Sequence, residues 1–290
     1  MRGALASRGR ALCRIRRITN QPRRATAMND VTRRELLERI GLAAGMTALG
    51  LDPAHAQAPQ RGTLNAKPQP IHVDPAKTAV IVVDMQNDFG SKGGMFDRAG
   101  IDISGIQRAV APTARVLDAA RKAGIHIVYL KMAYRPDMSD LGTSESVNRV
   151  RHLRLGVGQA VTAPDGTPSR VLIRDTWNSD IVDELKPHAK DTVIYKTRFS
   201  GFYRTDLDDV LRTRGVTHLI VTGCTTSICV ESTVRDAMFR DYLCVLLEDC
   251  MSEPIGSGLP RSNHEASLLS TEVLLGWVSD SPSFVKAVAT

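Results

Sequence analysis

Three side chains able to break an acyl bond together stand at intervals along the chain: the carboxyl of Asp84, the ammonium of Lys196 and the thiol of Cys229. Asp84 lies in Val82-Val83-Asp84-Met85-Gln86-Asn87-Asp88-Phe89, and Lys196 in Tyr195-Lys196-Thr197-Arg198-Phe199-Ser200-Gly201-Phe202. Cys229 lies in Gly223-Cys224-Thr225-Thr226-Ser227-Ile228-Cys229-Val230. A thiol attacks a carbonyl carbon as thiolate, so it needs a base or a lowered pKa, and a helix start with a nearby Lys supplies the lowering. Asp84 is then free to take the proton. Singly, each has a plainer reading: a turn residue, a solvated cation, a small buried side chain. Their common place, each at or just beyond the end of an apolar run, favours chemistry.

Those runs are Ala79 to Val83, Ile125 to Leu130, Thr192 to Tyr195, His218 to Val221 and Leu243 to Leu247. They alternate with helix-like segments at Ile106 to Ala123, Asp180 to Leu185, Asp206 to Arg214, Ile228 to Arg240 and Ser262 to Leu275. Runs apolar throughout are strands buried on both faces, and strands alternating with helices require crossovers. The pattern predicts an α/β fold, a three-layer Rossmann-like sandwich with a mainly parallel central sheet and helices on both faces. In such a sheet ligands bind beyond the carboxyl ends of the strands, where the acid, base and thiol stand.

The chain carries a formal charge of +7, but residues 1–56 hold 11 Lys/Arg against 4 Asp/Glu. The remaining body is neutral, which excludes a broad electrostatic footprint for nucleic acid. No apolar run approaches the ~20 residues a bilayer needs, so no membrane span is expected. Thr32-Arg33-Arg34-Glu35-Leu36-Leu37, a weakly apolar stretch from Ile40 to Leu51 and Ala54-His55-Ala56 follow one another as n-region, h-region and cleavage site. Together they resemble a twin-arginine export signal. That resemblance implies a leader over 1–56 cleaved near Ala56, a periplasmic location and the twin-arginine machinery as a partner; Met28 is an alternative start to Met1. Residues 57–76, rich in Pro, Gln and Gly, read as a linker or N-terminal arm, and 77–290 as the domain.

The Asp84 segment, the Lys196 loop and Gly223-x-x-Thr226-x-x-Cys229-Val230 resemble the signature of the isochorismatase-like cysteine hydrolases, in order and spacing. Gly93-Gly94-Met95, Trp177 with Val182-Asp183-Glu184-Leu185, Cys229-Val230-Glu231-Ser232-Thr233 and Gly276-Trp277-Val278-Ser279-Asp280 bring it closest to the ureidoacrylate amidohydrolases. Tyr134-Arg135-Pro136-Asp137 and Leu247-Glu248-Asp249-Cys250 are more similar to biuret hydrolases. The resemblance implies an amidohydrolase acting on a small amide or ureide through a thioester, with Asp84, Lys196 and Cys229 as triad. It further implies a cis peptide between Cys224 and Thr225, and an oxyanion hole from the Thr225 and Cys229 N–H groups. Substrate contacts are expected from Asn87, Phe89, Tyr134, Trp177, Phe199 and Phe202, and the enzyme is expected to be a homo-oligomer.

No metal and no cofactor is expected. The seven His show no ligand-like i, i+4 spacing, and Gly-x-Gly-x-x-Gly, Walker and Gly-x-Ser-x-Gly motifs are absent. Two alternatives remain open: a vinyl-ether hydrolase in which Asp acts as acid without a Cys nucleophile, and a non-catalytic periplasmic binding protein. An oxidising compartment would permit a bridge between Cys224 and Cys250, placed past the ends of two adjacent strands.

Overall fold

Alternate residues of a strand face opposite sides of a sheet, so a run without a polar break needs a core on each side. A computed structural model describes residues 62–289 and meets that requirement. The chain divides into two units, Met1–His55 and Ala56–Thr290, and every described residue lies in the second.

Strands β1 (Thr63–Leu64) and β2 (Ile71–His72) form an antiparallel pair, followed by β3 (Thr78–Val83) and β4 (His126–Met132). A small hairpin, β5 (Ala160–Thr162) with β6 (Pro168–Arg170), precedes β7 (Thr192–Lys196), β8 (His218–Cys224), β9 (Leu243–Ser252) and β10 (Trp277–Ser279). The central sheet runs β10-β9-β8-β3-β4-β7. Every neighbouring pair in it is parallel. The helices are α1 (Asn87–Gly90), α2 (Met95–Arg98), α3 (Ser104–Lys122), α4 (Val147–Arg154), α5 (Leu207–Thr213), α6 (Glu231–Met238), α7 (Asn263–Ser270) and α8 (Ser281–Val288).

Strand β3 shows why the runs are apolar throughout. Val80 and Val82 pack with Ile106, Val116 and Leu117 of α3 and Phe284 of α8. Ala79, Ile81 and Val83 pack on the other side with Leu207 and Leu211 of α5 and Val234 and Ala237 of α6. Burying each larger side chain of this kind contributes about 1.5–3 kcal/mol. The expected three-layer α/β sandwich is thus present, and its sheet is wholly parallel.

The sheet also needs β8 to come close to β3 where the Asp84 segment begins. Gly223 adopts φ +117°, and a Cβ there would fall on the carbonyl of Val83. We expect Gly223→Ala to destabilise the fold by about 2–4 kcal/mol, from left-handed strain plus overpacking. A thermal melt unchanged within error would show that this approach is not needed.

Several segments differ from the sequence reading. The helix expected over Asp180 to Leu185 is only a 3₁₀ turn at Asp183–Leu185. The preceding backbone is committed elsewhere: the Asp180 carbonyl accepts from Asn87 N–H at 2.8 Å and Val182 N–H donates to the Met85 carbonyl at 3.0 Å. The segment read as Ile228 to Arg240 begins with a wide turn at Thr226–Val230 before α6, and α7 likewise passes into a wide turn at Thr271–Leu275. Part of the expected arm is integral, because Leu64 and Val73 are fully buried and Lys67 and Val278 exchange backbone hydrogen bonds. The leader, its arginine pair and the site at Ala56 lie outside the described residues.

Candidate active site

The parallel sheet brings the ends of β3, β7 and β8 to one rim, and the three residues meet there. Asp84 follows β3 directly with φ 51°, a left-handed conformation that Asp tolerates better than most residues. Its N–H donates to the Leu130 carbonyl at 2.9 Å, and its own carbonyl accepts from the Cys224 thiol at 3.1 Å. Oδ1 accepts from Met132 N–H at 2.9 Å, and Oδ2 lies 2.7 Å from Lys196 Nζ. Lys196 ends β7 opposite Met132, and its ammonium also donates to the Arg198 carbonyl at 3.3 Å. Both members of the ion pair are sealed from solvent.

Cys229 sits in the wide turn Thr226–Val230, buried, its thiol within hydrogen-bonding reach of both Asp84 and Lys196. The turn is closed by Ile228 and Val230 N–H, which both donate to the Thr225 carbonyl at 3.2 Å. Two further links hold it. The Cys229 carbonyl accepts from Thr233 Oγ1 at 2.7 Å, and Thr233 Oγ1 accepts from Gly201 N–H at 3.0 Å, tying the Lys196 loop to α6. On the other side Glu253 Oε2 accepts from the N–H and hydroxyl of Ser227 at 3.0 and 2.5 Å. The peptide between Cys224 and Thr225 is cis, as the resemblance implied.

Burial governs the charges. It pushes the Asp84 carboxyl above the usual carboxylate range, against the opposing pull of Lys196. Burial works against the Lys196 ammonium, but the Asp84 carboxylate beside it, joined by the Cys229 sulfur once that ionises, outweighs burial and holds its pKa above the ordinary lysine value. Burial also raises the Cys229 thiol, and the Lys196 charge only partly offsets that. The lowered thiol pKa expected from the sequence is therefore corrected: desolvation exceeds the cation and the helix start. The resting cluster is an Asp84–Lys196 ion pair beside a protonated thiol. Its consequence is measurable. A raised thiol pKa means that the thiolate fraction is still growing above neutrality, so alkylation of Cys229 should keep accelerating from pH 7 to pH 10. A plateau reached between pH 6 and pH 8 would show a lowered pKa instead.

A cavity of about 590 Å³ opens onto this cluster, with Asp84, Cys229 and Thr225 among its lining. Of the expected substrate contacts, Phe89 and Phe199 line it, Phe89 with its edge against Phe96. The other four stand outside the lining. Asn87 donates from Nδ2 to the Trp177 carbonyl at 2.8 Å and accepts from Ser91 Oγ at 2.7 Å, which locks α1 to the 3₁₀ turn carrying Trp177. Tyr134 is fully buried, its hydroxyl accepting from Asn148 Nδ2 at 3.0 Å. Phe202 is packed into the core cluster that also holds Cys229, stacked on Tyr242. Side-chain direction within each segment, invisible in the spacing, decides these placements.

Sequence reasoning missed residues that position the site. Gln86 is fully buried and accepts from Met132 N–H at 2.7 Å while donating to the Met132 and Ser179 carbonyls at 3.0 and 2.9 Å. Asp88 accepts from Met95 N–H, Leu172 N–H and Asn178 Nδ2 at 2.8, 2.6 and 2.5 Å, and burial pushes its carboxyl up to about 6. Both stand in the quoted Asp84 segment, where only their types could have drawn notice. Arg151 and His152 of α4 also line the cavity, from a segment with no apolar period. The bridge between Cys224 and Cys250 is absent: both are free, and the strand register sets Cys224 opposite Ser252, two positions beyond Cys250.

Residues 78–283 match the isochorismatase domain. The chain belongs to the isochorismatase family. It is 40% identical over 221 residues to the ureidoacrylate amidohydrolase RutB of Caulobacter segnis, covering 76% of this chain and 90% of that protein. The RutB of Methylobacterium radiotolerans is 41% identical over 225 residues, 78% of this chain and 84% of its own. Among solved structures, a cysteine hydrolase from Pseudomonas syringae pv. phaseolicola aligns with TM-score 0.63 at 30% identity, over 74% of this chain and 94% of that one. The N-carbamoylsarcosine amidase of Thermoplasma acidophilum aligns with TM-score 0.52 at 26% identity, over 71% and 96%. The family makes the chain a hydrolase, and its similarity to the RutB enzymes and to the amidase makes it an amidohydrolase of non-peptide C–N bonds.

The relationship overturns one expectation. The leader pointed to a periplasmic protein exported by the twin-arginine route, whereas the relatives matched are RutB ureidoacrylate amidohydrolases, which contradict an exported location. The motif on which export rested lies outside the matched span as well as the described residues. No described helix is long and apolar enough to cross a membrane.

Proposed function

We propose that the protein hydrolyses a ureide of the ureidoacrylate type through a covalent intermediate on Cys229. The observation that carries this reading is the sealed Asp84–Lys196 pair within reach of the Cys229 thiol, at the floor of an open cavity. Asp84 takes the thiol proton as sulfur attacks the ureide carbonyl carbon, and the Thr225 and Cys229 N–H groups receive the oxyanion. Collapse breaks the C–N bond, and Asp84 passes its proton to the departing nitrogen. Asp84 then takes a proton from water as the water oxygen attacks the carbonyl carbon of the carbamoyl group held on sulfur. The C–S bond breaks, sulfur regains the proton, and carbamate is released to decay to ammonia and carbon dioxide.

Lys196 has a constant task in this sequence. Its charge keeps Asp84 ionised against the desolvation that favours the neutral acid, and it faces the negative charge that builds on sulfur. Phe89 and Phe199 in the lining offer apolar faces against which a planar ureide is held. Asn87, Tyr134, Trp177 and Phe202 act behind the wall, by fixing its backbone. A homo-oligomer is part of the same reading, checked by mass in solution.

The test is turnover across a panel, read as ammonia release from ureidoacrylate, biuret and simple amides and as carbonyl formation from a vinyl ether, with and without a strong chelator. Fastest turnover of a ureide, unchanged by the chelator, is expected. A vinyl ether as the best substrate, or activity lost to the chelator and restored by zinc, would overturn the reading.

A further inference from the structure

We propose that Arg151 is a specificity-determining residue that takes the carboxylate of an anionic substrate while the reacting carbonyl lies at Cys229. This rests on the hydrolase reading above and names the chemistry at the far end of the substrate. The cavity lining carries two acidic side chains besides Asp84, namely Asp102 and Glu253, and one arginine, Arg151. Both acids are turned to their own surroundings. Glu253 accepts from Ser227 N–H, Ser227 Oγ and Ile255 N–H, and Asp102 from the N–H and hydroxyl of Ser104 at 2.9 and 3.0 Å. Arg151 has neither an ion-pair nor a hydrogen-bond partner among the described residues, whereas Arg174 is paired with Asp140 and Arg198 donates to the Asp140 and Thr197 carbonyls.

The neighbouring residue sharpens the assignment. His152, buried in the same wall, has Nδ1 2.6 Å from the Asn148 carbonyl, which can only accept, so Nδ1 carries the proton. Burial lowers its pKa, leaving a neutral ring packed between Tyr134 and Phe199. His152 therefore adds no second cation, and Arg151 is the uncompensated positive group of the lining. A guanidinium with free N–H donors matches a carboxylate in charge and geometry, and being near solvent it avoids the cost of a buried lone charge. Helix α4 in turn is fixed by its Ser146 cap, which accepts from Arg149 N–H.

The experiment compares 3-ureidoacrylate with its neutral methyl ester by initial ammonia release, in the wild type, Arg151→Gln and Arg151→Lys. In the wild type the acid is preferred. In Arg151→Gln the kcat/KM ratio of acid to ester should collapse by roughly 10- to 100-fold, the loss falling on KM rather than kcat, as removal of uniform ground-state binding requires. Arg151→Lys should recover part of the ratio, and the wild-type KM for the acid alone should rise with salt. An acid-to-ester ratio unmoved by Arg151→Gln would overturn the assignment while leaving the hydrolase reading intact. A wild type that releases ammonia from neither ureide would sink the reading and the assignment together.

Discussion

Cys229→Ala should lose turnover of every ureide, with kcat falling by roughly 10⁴ to 10⁶, as removal of a nucleophile does when it acts with its base as a unit. The fold should survive. Cys229 is a small buried side chain, so alanine removes one sulfur from a wall that already opens on the cavity. The contacts that hold the turn, from the Ile228 and Val230 N–H groups and the Thr233 hydroxyl to their carbonyl partners, do not involve the thiol. A melting temperature within a few degrees of wild type is therefore expected. A folded variant retaining more than a few per cent of kcat would mean that sulfur forms no bond to substrate, and the vinyl-ether chemistry with Asp84 as acid would become the better account.

Asp84→Asn should be nearly as severe in rate and far more severe in stability. An amide cannot accept the thiol proton, and with the thiol pKa raised by burial the sulfur has no other route to thiolate at neutral pH. We expect kcat to fall by roughly 10⁴. The same change leaves the Lys196 ammonium buried without its partner 2.7 Å away, at a cost of about 3–5 kcal/mol. The two effects separate by measurement at temperatures well below the variant's melt. The pH dependence has a definite sign. In the wild type the Lys196 pKa is raised, so the Lys196 contribution is present at neutral pH and is lost only as pH rises through that raised value, while the burial that raises Asp84 acts in the opposite sense. Without Asp84 desolvation is left to act alone, Lys196 sheds its proton at lower pH, and the stability gap to wild type should narrow as pH rises.

What the sequence made legible, and what it hid, follows from the kind of signal involved. Strands β3, β4, β8 and the first half of β9 could be read because burial on both faces leaves no polar break in their runs, whereas β7, at the sheet edge with Val193 exposed, was read from its short Val193-Ile194-Tyr195 run. Strand β10 could not, since Trp277–Ser279 is three residues long and lies at the sheet edge. Asp84, Lys196 and Cys229 were found because a parallel sheet sends all its strand ends to one rim, so adjacency in space follows from topology alone. Direction was not legible. Phe199 and Phe202 sit three residues apart in one loop, yet one lines the cavity and the other stacks on Tyr242 in the core. Tyr134 and Trp177 followed from resemblance to relatives, and neither side chain is part of the lining. The thiol pKa was misjudged for a related reason. Spacing reveals a nearby cation, but burial, the larger effect here, belongs to the folded state. Arg151 was invisible because Val147–Arg154 is polar on most positions and carries neither an apolar period nor a motif.

The central claim is a covalent bond between substrate and Cys229, and acid-quenched intact-mass measurement during steady-state turnover of ureidoacrylate tests it most directly. The wild type should show a fraction of molecules heavier by one carbamoyl group, released by alkaline hydroxylamine and mapped by digestion to the peptide containing Cys229, with none in Cys229→Ala. Turnover at full rate with no adduct in rapidly quenched samples, or an adduct that persists in Cys229→Ala, would contradict the account.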